Sequence, residues 1–250
     1  MPRLREDQSV AVILAAGSGT RLGQPSKPLA LVARLTLLER AVATLQAAGV
    51  GRVIVVVGHA KDEVERFVRE RELQVELVEN EDFAAGNGSS AIVGGRAAGQ
   101  RFLLMMADHL LEPEVVRRML SCEAPFAVAV DTRPRHCELD DATKLRVHDG
   151  RVVAVARGLE DWNAIDAGVF ACDWAVVHAA EQAMAAGEGT WNAVKRHWIA
   201  GGRRLDAVDV AGLFWIDVDT PEDAARAERL LLQQAGAKPL DGPVARHLNR

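Results

Sequence analysis

The run Val53-Ile54-Val55-Val56-Val57 has no polar residue on either face, so a strand made from it must be covered on both sides. A parallel sheet between two layers of helices provides that cover, and the neighbouring sequence supplies the helices. Apolar runs at Val10 to Leu14, Arg52 to Val57, Gln74 to Val78 and Arg101 to Met106 alternate with amphipathic segments at Thr36 to Ala48, Lys61 to Arg71 and Ser90 to Gly99. This rhythm predicts an α/β fold with a Rossmann-like mixed, mainly parallel sheet flanked by helices. The first helix opens Thr36-Leu37-Leu38-Glu39, a capping-box pattern in which two side chains satisfy exposed backbone N–H groups.

Beyond about Ala124 the rhythm changes. Phe126 to Val130, Lys144 to His148 and Arg151 to Ala156 read as strands, the last two joined by a tight Asp149-Gly150 turn, so antiparallel strands are added to the sheet. Helices at Asp173 to Ala186 and Trp191 to Ala200 precede short strands at Arg203 to Val208 and Leu213 to Val218. The final helix begins Thr220-Pro221-Glu222-Asp223, with a cap, a proline at the first helical position and acids in the positive first turn, and is expected to stop after Gln234. Residues 1–235 then form one domain, and residues 236–250 a Gly/Pro-punctuated, linker-like tail.

A chain of 250 residues with 49% apolar content can bury a sizeable core without staples. Its 30 Lys+Arg against 35 Asp+Glu give a net charge of −5, which argues against a nucleic-acid partner. No apolar run approaches the roughly 18 to 20 residues of a membrane span, and the start Met1-Pro2-Arg3-Leu4-Arg5-Glu6-Asp7 is not a signal segment. A cytoplasmic domain making no membrane contact of its own is expected. Cys122, Cys137 and Cys172 are odd in number and widely spaced, which excludes a disulfide scaffold and a zinc ribbon. Only 5 of the 30 basic residues are lysines, namely Lys27, Lys61, Lys144, Lys195 and Lys238, so each is an uncommon choice.

The most informative stretch follows the first strand: Leu14-Ala15-Ala16-Gly17-Ser18-Gly19-Thr20-Arg21-Leu22-Gly23-Gln24-Pro25-Ser26-Lys27-Pro28-Leu29. Small residues there let backbone N–H groups approach an anion. A dinucleotide fingerprint would require glycine where Leu22 stands, and a P-loop would require Gly-Lys-Ser/Thr, which is absent. A loop carrying the fixed cations Arg21 and Lys27, with prolines on either side of Ser26-Lys27, remains and suits a polyphosphate.

That string resembles the signature of the sugar-nucleotide-type nucleotidyltransferases, Gly-x-Gly-Thr-Arg-Leu followed shortly by Pro-Lys-Pro-Leu, with Ser26 in place of the proline before the lysine. The resemblance implies a nucleotide-diphospho-sugar transferase fold. It extends to Met106-Ala107-Asp108-His109 and to Trp215-Ile216-Asp217-Val218-Asp219-Thr220, where the family carries acidic metal ligands. It also takes in Asn80 and Gly86-Asn87-Gly88-Ser89-Ser90, a loop that would lie along the nucleobase. Asp141-Ala142-Thr143-Lys144-Leu145-Arg146-Val147 and Ile165-Asp166-Ala167-Gly168-Val169-Phe170 are similar to one branch, the CTP:inositol-1-phosphate cytidylyltransferases. The likeness runs from about Val10 to Glu228.

This branch implies Mg²⁺-dependent transfer from CTP to 1L-myo-inositol 1-phosphate, giving CDP-inositol and pyrophosphate by direct in-line attack, in the route to the compatible solute di-myo-inositol phosphate. Leu14, Ala15, Ala16, Gly17, Ser18, Gly19, Thr20, Arg21, Lys27, Asn80, Asn87, Gly88 and Ser89 would bind the nucleotide. Arg21 and Lys27 would hold its phosphates, and Asp108 and Asp217 would hold Mg²⁺, with Asp219 as a third carboxylate. Lys144 would grip the acceptor phosphate as a compact point charge, and Asp166 and Gly168 would receive inositol hydroxyls. In several members of the branch a membrane phosphotransferase domain follows, and residues 241–250 resemble the polar lead-in to it. Three alternatives stay open: another acceptor such as phosphocholine, a sugar 1-phosphate or another polyol phosphate; a silent nucleotide-sensing module; and, disfavoured by Leu22, an NAD(P)-dependent oxidoreductase.

Overall fold

In the computed structural model, which describes residues 9–17, 19, 22 and 26–237, β1 (Val10–Leu14) is buried along its whole length. It pairs in parallel with β4 (Arg52–Val57) on one side and β6 (Phe102–Met106) on the other, and β5 (Glu76–Glu79) extends the sheet beyond β4. Chain order therefore runs outward from β1 to β5 and then returns across β1 to β6. The reversal places a switch point between the carboxyl ends of β1 and β6, where open α/β sheets leave a crevice for ligands.

The sheet continues through antiparallel β11 (Ala164–Cys172), then β8 (Phe126–Asp131) and β12 (Leu205–Asp209), and ends in β10 (Arg151–Ala156) and β9 (Lys144–His148). A further pairing of Ala164 with Leu145 curls β9 back onto β11. Against β8, the ladder of β11 jumps from Asp166↔Val130 to Phe170↔Val128, so 167–169 bulge out of register. Such a bulge re-aims side chains next to a site, and here it carries Asp166 and Gly168.

Helices cover both faces. On one, α1 (Leu37–Ala47), α2 (Lys61–Glu70) and α4 (Pro113–Ser121) pack Leu38, Leu45, Val64, Val115 and Met119 onto the sheet. On the other, α3 (Asn87–Ala98), α5 (Trp174–Ala185) and α6 (Trp191–Ala200) enclose Phe126, Phe170, Trp191 and Trp198. A smaller core joins α7 (Pro221–Ala237) to the hairpin β2 (Leu31–Val32)/β3 (Leu35–Thr36) and to the pair β7 (His109–Leu111)/β13 (Trp215–Asp217), through Leu37, Ile216, Val218 and Ala227. No described helix is long and apolar enough to cross a membrane.

The α/β class and most elements agree with the sequence reading. The Thr36–Glu39 capping box is present, with Glu39 N–H donating to Thr36 Oγ1 (3.1 Å) and Thr36 N–H to Glu39 Oε2 (2.8 Å). Three expectations need correction. Helix α7 runs past Gln234 to Ala237, because one glycine only weakens a helix, whereas Pro239 disfavours helical backbone at the residue before it. The boundary expected at 235/236 falls inside this helix, and residues 238–250, on which the rest of the tail expectation rests, lie outside the described residues. Helix α3 starts at Asn87 rather than Ser90: the Gly/Asn stretch read as loop is its first turn, with Gly88 N–H satisfied by Gly189 O at 2.9 Å.

Candidate functional site

A cleft of about 1060 Å³ opens at the switch point, a volume at the upper end for small-molecule sites. The loop after β1, the end of β6, the β11 bulge and the first turns of α3 and α6 form its walls. Leu14, Ala15, Ala16, Gly17, Gly19, Lys27 and Asn87 line it as the sequence led one to expect, whereas Ser18, Thr20 and Arg21 lie outside the described residues. Gly19 has φ +57°, and a Cβ there would come within 2.2 Å of Lys27 Cβ. Only glycine lets the loop fold this closely over the lysine.

Lys27 stands in a short helical turn with Pro28, and its ammonium lies 2.5 Å from Asp108 Oδ2 and 2.5 Å from Asp219 Oδ1. Asp108 stands in the turn between β6 and β7, while Asp219 follows β13, so one cation joins two distant segments. Burial works against charge on Lys27, yet Asp108 and Asp219 outweigh it and raise its pKa. Burial likewise opposes the Asp108 carboxylate, but Lys27 and His109 hold it well below the usual carboxylate range.

Asp217 lines the same cleft but is not bonded to Lys27; it sits opposite His109 in the β7–β13 ladder. Burial pushes its pKa up, and Asp108, Asp219 and Asp223 add to the rise while His109 opposes it. Negative charge thus exceeds positive charge here. Among the described residues no group of three or more His, Cys, Asp or Glu forms a ready-made cage for a metal. Two carboxylates converging on one point do suit Mg²⁺, which keeps several waters and takes one or two carboxylates plus substrate phosphates.

Other expected residues serve a different purpose. Asn80 is buried: its amide donates to Ser89 Oγ and Ser90 Oγ (both 2.9 Å), and its oxygen accepts from Asp82 N–H (3.1 Å). Asn80, Gly88 and Ser89 do not line the cleft; they hold in place the turn that presents Asn87 and Ser90. Asn87 in turn accepts from Trp191 N–H at 2.7 Å, tying α3 to α6.

Asp166 and Gly168 line another wall of the cleft, with Gly168 N–H donating to Asp166 Oδ1 at 2.9 Å and Gly168 packed against His109. Lys144, half-buried at the start of β9, is not among the lining residues. Lys195 is the lysine found there, fully buried and bonded to Asp166 Oδ2, with its ammonium 5.1 Å from the centre of the Phe170 ring. Burial lowers the Lys195 pKa, against the opposing pull of Asp166. Arg157 and Arg196 add cations to the lining. Lys195 had a sequence signal: it shares a helical stripe with Trp191, Val194 and Trp198, an apolar face on which a lysine is costly.

The family model described as MobA-like NTP transferase domain matches residues 11–249. A bifunctional IPC transferase and DIPP synthase from Rubrobacter xylanophilus is 46% identical over 243 residues, covering 96% of this chain and 55% of that protein. A protein of the same description from Archaeoglobus fulgidus is 33% identical over 240 residues, covering 96% of this chain and 47% of its own length. The chain spans about half the length of these curated relatives. Among solved structures, the inositol-1-phosphate CTP transferase from T. maritima superposes with a TM-score of 0.80 at 22% identity, covering 91% of this chain and 96% of that one. A UDP-glucose pyrophosphorylase complexed with UDP-glucose gives 0.74 at 18% identity, covering 90% and 99%. At such identities these two structures establish the fold, that of the nucleotide-sugar transferases.

Proposed function

Because the chain belongs to the MobA-like NTP transferase family, we propose that it is a cytidylyltransferase converting CTP and inositol 1-phosphate to CDP-inositol and pyrophosphate. The observation that carries the chemistry is the Lys27–Asp108–Asp219 cluster at the switch point, in one cleft with the cations Lys195, Arg157 and Arg196. The substrates are carried over from the names of the two relatives and the T. maritima structure.

In this reading an oxygen of the acceptor phosphate forms the new bond to the α-phosphorus of CTP. The bond from that phosphorus to the oxygen bridging to the β-phosphate breaks, and pyrophosphate leaves with the electron pair. A dianionic acceptor needs no proton removed, so the protein's work is positioning and charge neutralisation. Lys27 holds the triphosphate, with Arg21 assigned the same task from its place in the loop. The small residues from Leu14 to Gly19 bring backbone close to the phosphates. Asp108 and Asp219 would hold Mg²⁺, which would supply positive charge against the phosphates. Asp219 is preferred to Asp217 because it shares Lys27 with Asp108. Asp166, Gly168, Lys195, Arg157 and Arg196 receive the acceptor, in place of Lys144.

The test is parallel incubation of the protein with Mg²⁺, each of the four NTPs and inositol 1-phosphate, phosphocholine or glucose 1-phosphate, following pyrophosphate and product mass. CDP-inositol from CTP with inositol 1-phosphate is the expected product. Turnover with another pair alone would keep the chemistry and move the substrates, and silence across the panel would overturn the reading.

A further inference from the structure

We propose that His109 is a positioning residue: it fixes the Asp108 carboxylate so that one oxygen is committed to the protein and the other to the phosphate end of the cleft. The inference rests on the role given above to Asp108. His109 Nδ1–H donates to Asp108 Oδ1 at 2.7 Å, while Oδ2 of the same carboxylate faces Lys27. A carboxylate with one oxygen tied in this way cannot rotate, so the direction of its remaining lone pairs is set before any ligand arrives. Hydrogen bonds to metal-holding groups commonly act in this way.

The imidazole is itself held on several sides. Its ring is parallel to the Trp215 indole, 5° between planes with centroids 6.2 Å apart. Trp215 is fixed in turn by its Nε1–H, which donates to buried Asp131 Oδ2 at 2.8 Å, and Asp131 Oδ1 accepts from Arg133 N–H at 2.8 Å. Gly168 also packs against the ring: it has φ +75°, and a Cβ there would lie 2.3 Å from His109 Cδ2. The β11 bulge thus brings bare backbone against the ring, and any side chain at 168 would push the ring off Asp108. Two hydrogen bonds joined by one ring stack run from the Asp131 carboxylate in the sheet to the cleft, and the last link is the His109–Asp108 bond.

The two ring nitrogens make the proposal testable. Asparagine in place of His109 can put an amide N–H near the Nδ1 position, glutamine reaches the Nε2 position instead, and phenylalanine keeps the stack without either. Mn²⁺ binding in the presence of CTP, followed by electron paramagnetic resonance, reads the effect without turnover. His109→Asn is expected to stay within about 3-fold of the parent, and His109→Gln and His109→Phe to weaken Mn²⁺ binding by about 10- to 100-fold, the usual cost of losing such a support. Thermal melting without metal checks that each variant is folded, and Trp215→Phe, which keeps an aromatic ring beside His109, is expected to weaken Mn²⁺ binding less than His109→Phe. Parent-like binding in folded His109→Phe, or equal losses in the Asn and Phe variants, would overturn the proposal while leaving the reaction intact. Failure of the parent to bind Mn²⁺ with CTP, or undiminished binding in Asp108→Asn, would overturn the metal role of Asp108 and this inference with it.

Discussion

Two lysines face the same cleft, each bonded to aspartate, and their surroundings differ in one respect that decides what each can do. Lys27 has two carboxylates within 2.5 Å and a partly exposed side chain, while Lys195 has one carboxylate and is 1% exposed. At Lys27 the local charge stays negative after pairing, so the ammonium's pKa is raised and the site can accept further cations. At Lys195 the pair is matched one to one and almost wholly buried in the cleft wall, so burial dominates and the ammonium's pKa is lowered. Surplus charge beside solvent makes a site that exchanges partners; neutral pairing under a roof makes a fixed wall.

The sharpest way to break this contrast is Asp108→Asn, which removes one of the carboxylates around Lys27. Turnover is expected to fall by about 10²- to 10³-fold, the scale for losing one preorganised electrostatic group, with little change in the melting temperature. Lys27→Met should cost about 10²-fold in turnover and has a second signature. Without metal, Asp108 and Asp219 are left facing each other, so the variant melts below the parent in chelator and recovers when Mg²⁺ is added. Calorimetric melts with and without Mg²⁺ check this, and failure of Mg²⁺ to restore the variant would remove the surplus-charge argument.

Lys195→Met should behave in the opposite way. Removing one member of a buried ion pair leaves an uncompensated charge and costs about 3 to 5 kcal/mol, or roughly 10 °C in melting temperature for a domain of this size. Mg²⁺ should not restore it, whereas Lys195→Met combined with Asp166→Asn should recover part of the loss because the stranded carboxylate is gone. If Lys195→Met melted like the parent, the Lys195–Asp166 bond would not be holding this wall.

The division between these regions also governs what could be read from sequence. Val53 to Val57 announces a central strand because its burial on both faces is written into every residue, and Asp149-Gly150 announces its turn because both residues adopt positive φ, 48° and 69°. Lys27, Asp108 and Asp219 were legible because they stand in or beside short motifs with fixed spacing. Strands β7 and β13 were not legible as a pair: each has three residues, and their pairing comes from a partner over a hundred positions away. Helix α4 has a weak signal by length alone: it has nine residues, although Val115, Val116 and Met119 form one buried face. The burial of Asn80 was not legible because a polar residue in a Gly/Asn-rich stretch looks exposed, whereas Ser89, Ser90 and Asp82 satisfy it internally. That Lys195 rather than Lys144 lines the cleft was not legible at Lys144 because no local pattern tells which side of a curled sheet will meet the cleft.

Asp217 sharpens the comparison more gently. Its raised pKa means that the folded protein holds the proton more tightly than the unfolded chain, so stability falls as pH rises from the ordinary carboxylate value through the folded one. Asp217→Asn removes that penalty. In chelator the variant is expected to melt above the parent near pH 7, with the gain shrinking as pH falls toward the ordinary carboxylate range. Its turnover should drop by less than about 10-fold, against about 10²-fold for Asp219→Asn. Equal losses in the two would give Asp217 a share in holding the metal and would weaken the preference drawn from Lys27.

The smallest effect reports on the same charge from outside the cluster. Cys137 lines the cleft, and its thiol is pushed up to about 11, by burial first and then by the carboxylates of Asp217 and Asp131. Only the thiolate alkylates, so at pH 8 Cys137 should react with iodoacetamide about 10²-fold more slowly than an ordinary thiol of pKa about 8.5. Its rate should keep climbing about tenfold per pH unit after the ordinary thiol has levelled off. Peptide mass mapping over a pH series measures this directly. Because burial is the larger cause, Asp217→Asn should speed the reaction only a few-fold. A large acceleration would mean that charge, rather than exclusion of water, governs this wall of the cleft, and the surplus negative charge around Lys27 would then reach further than its two bonded carboxylates.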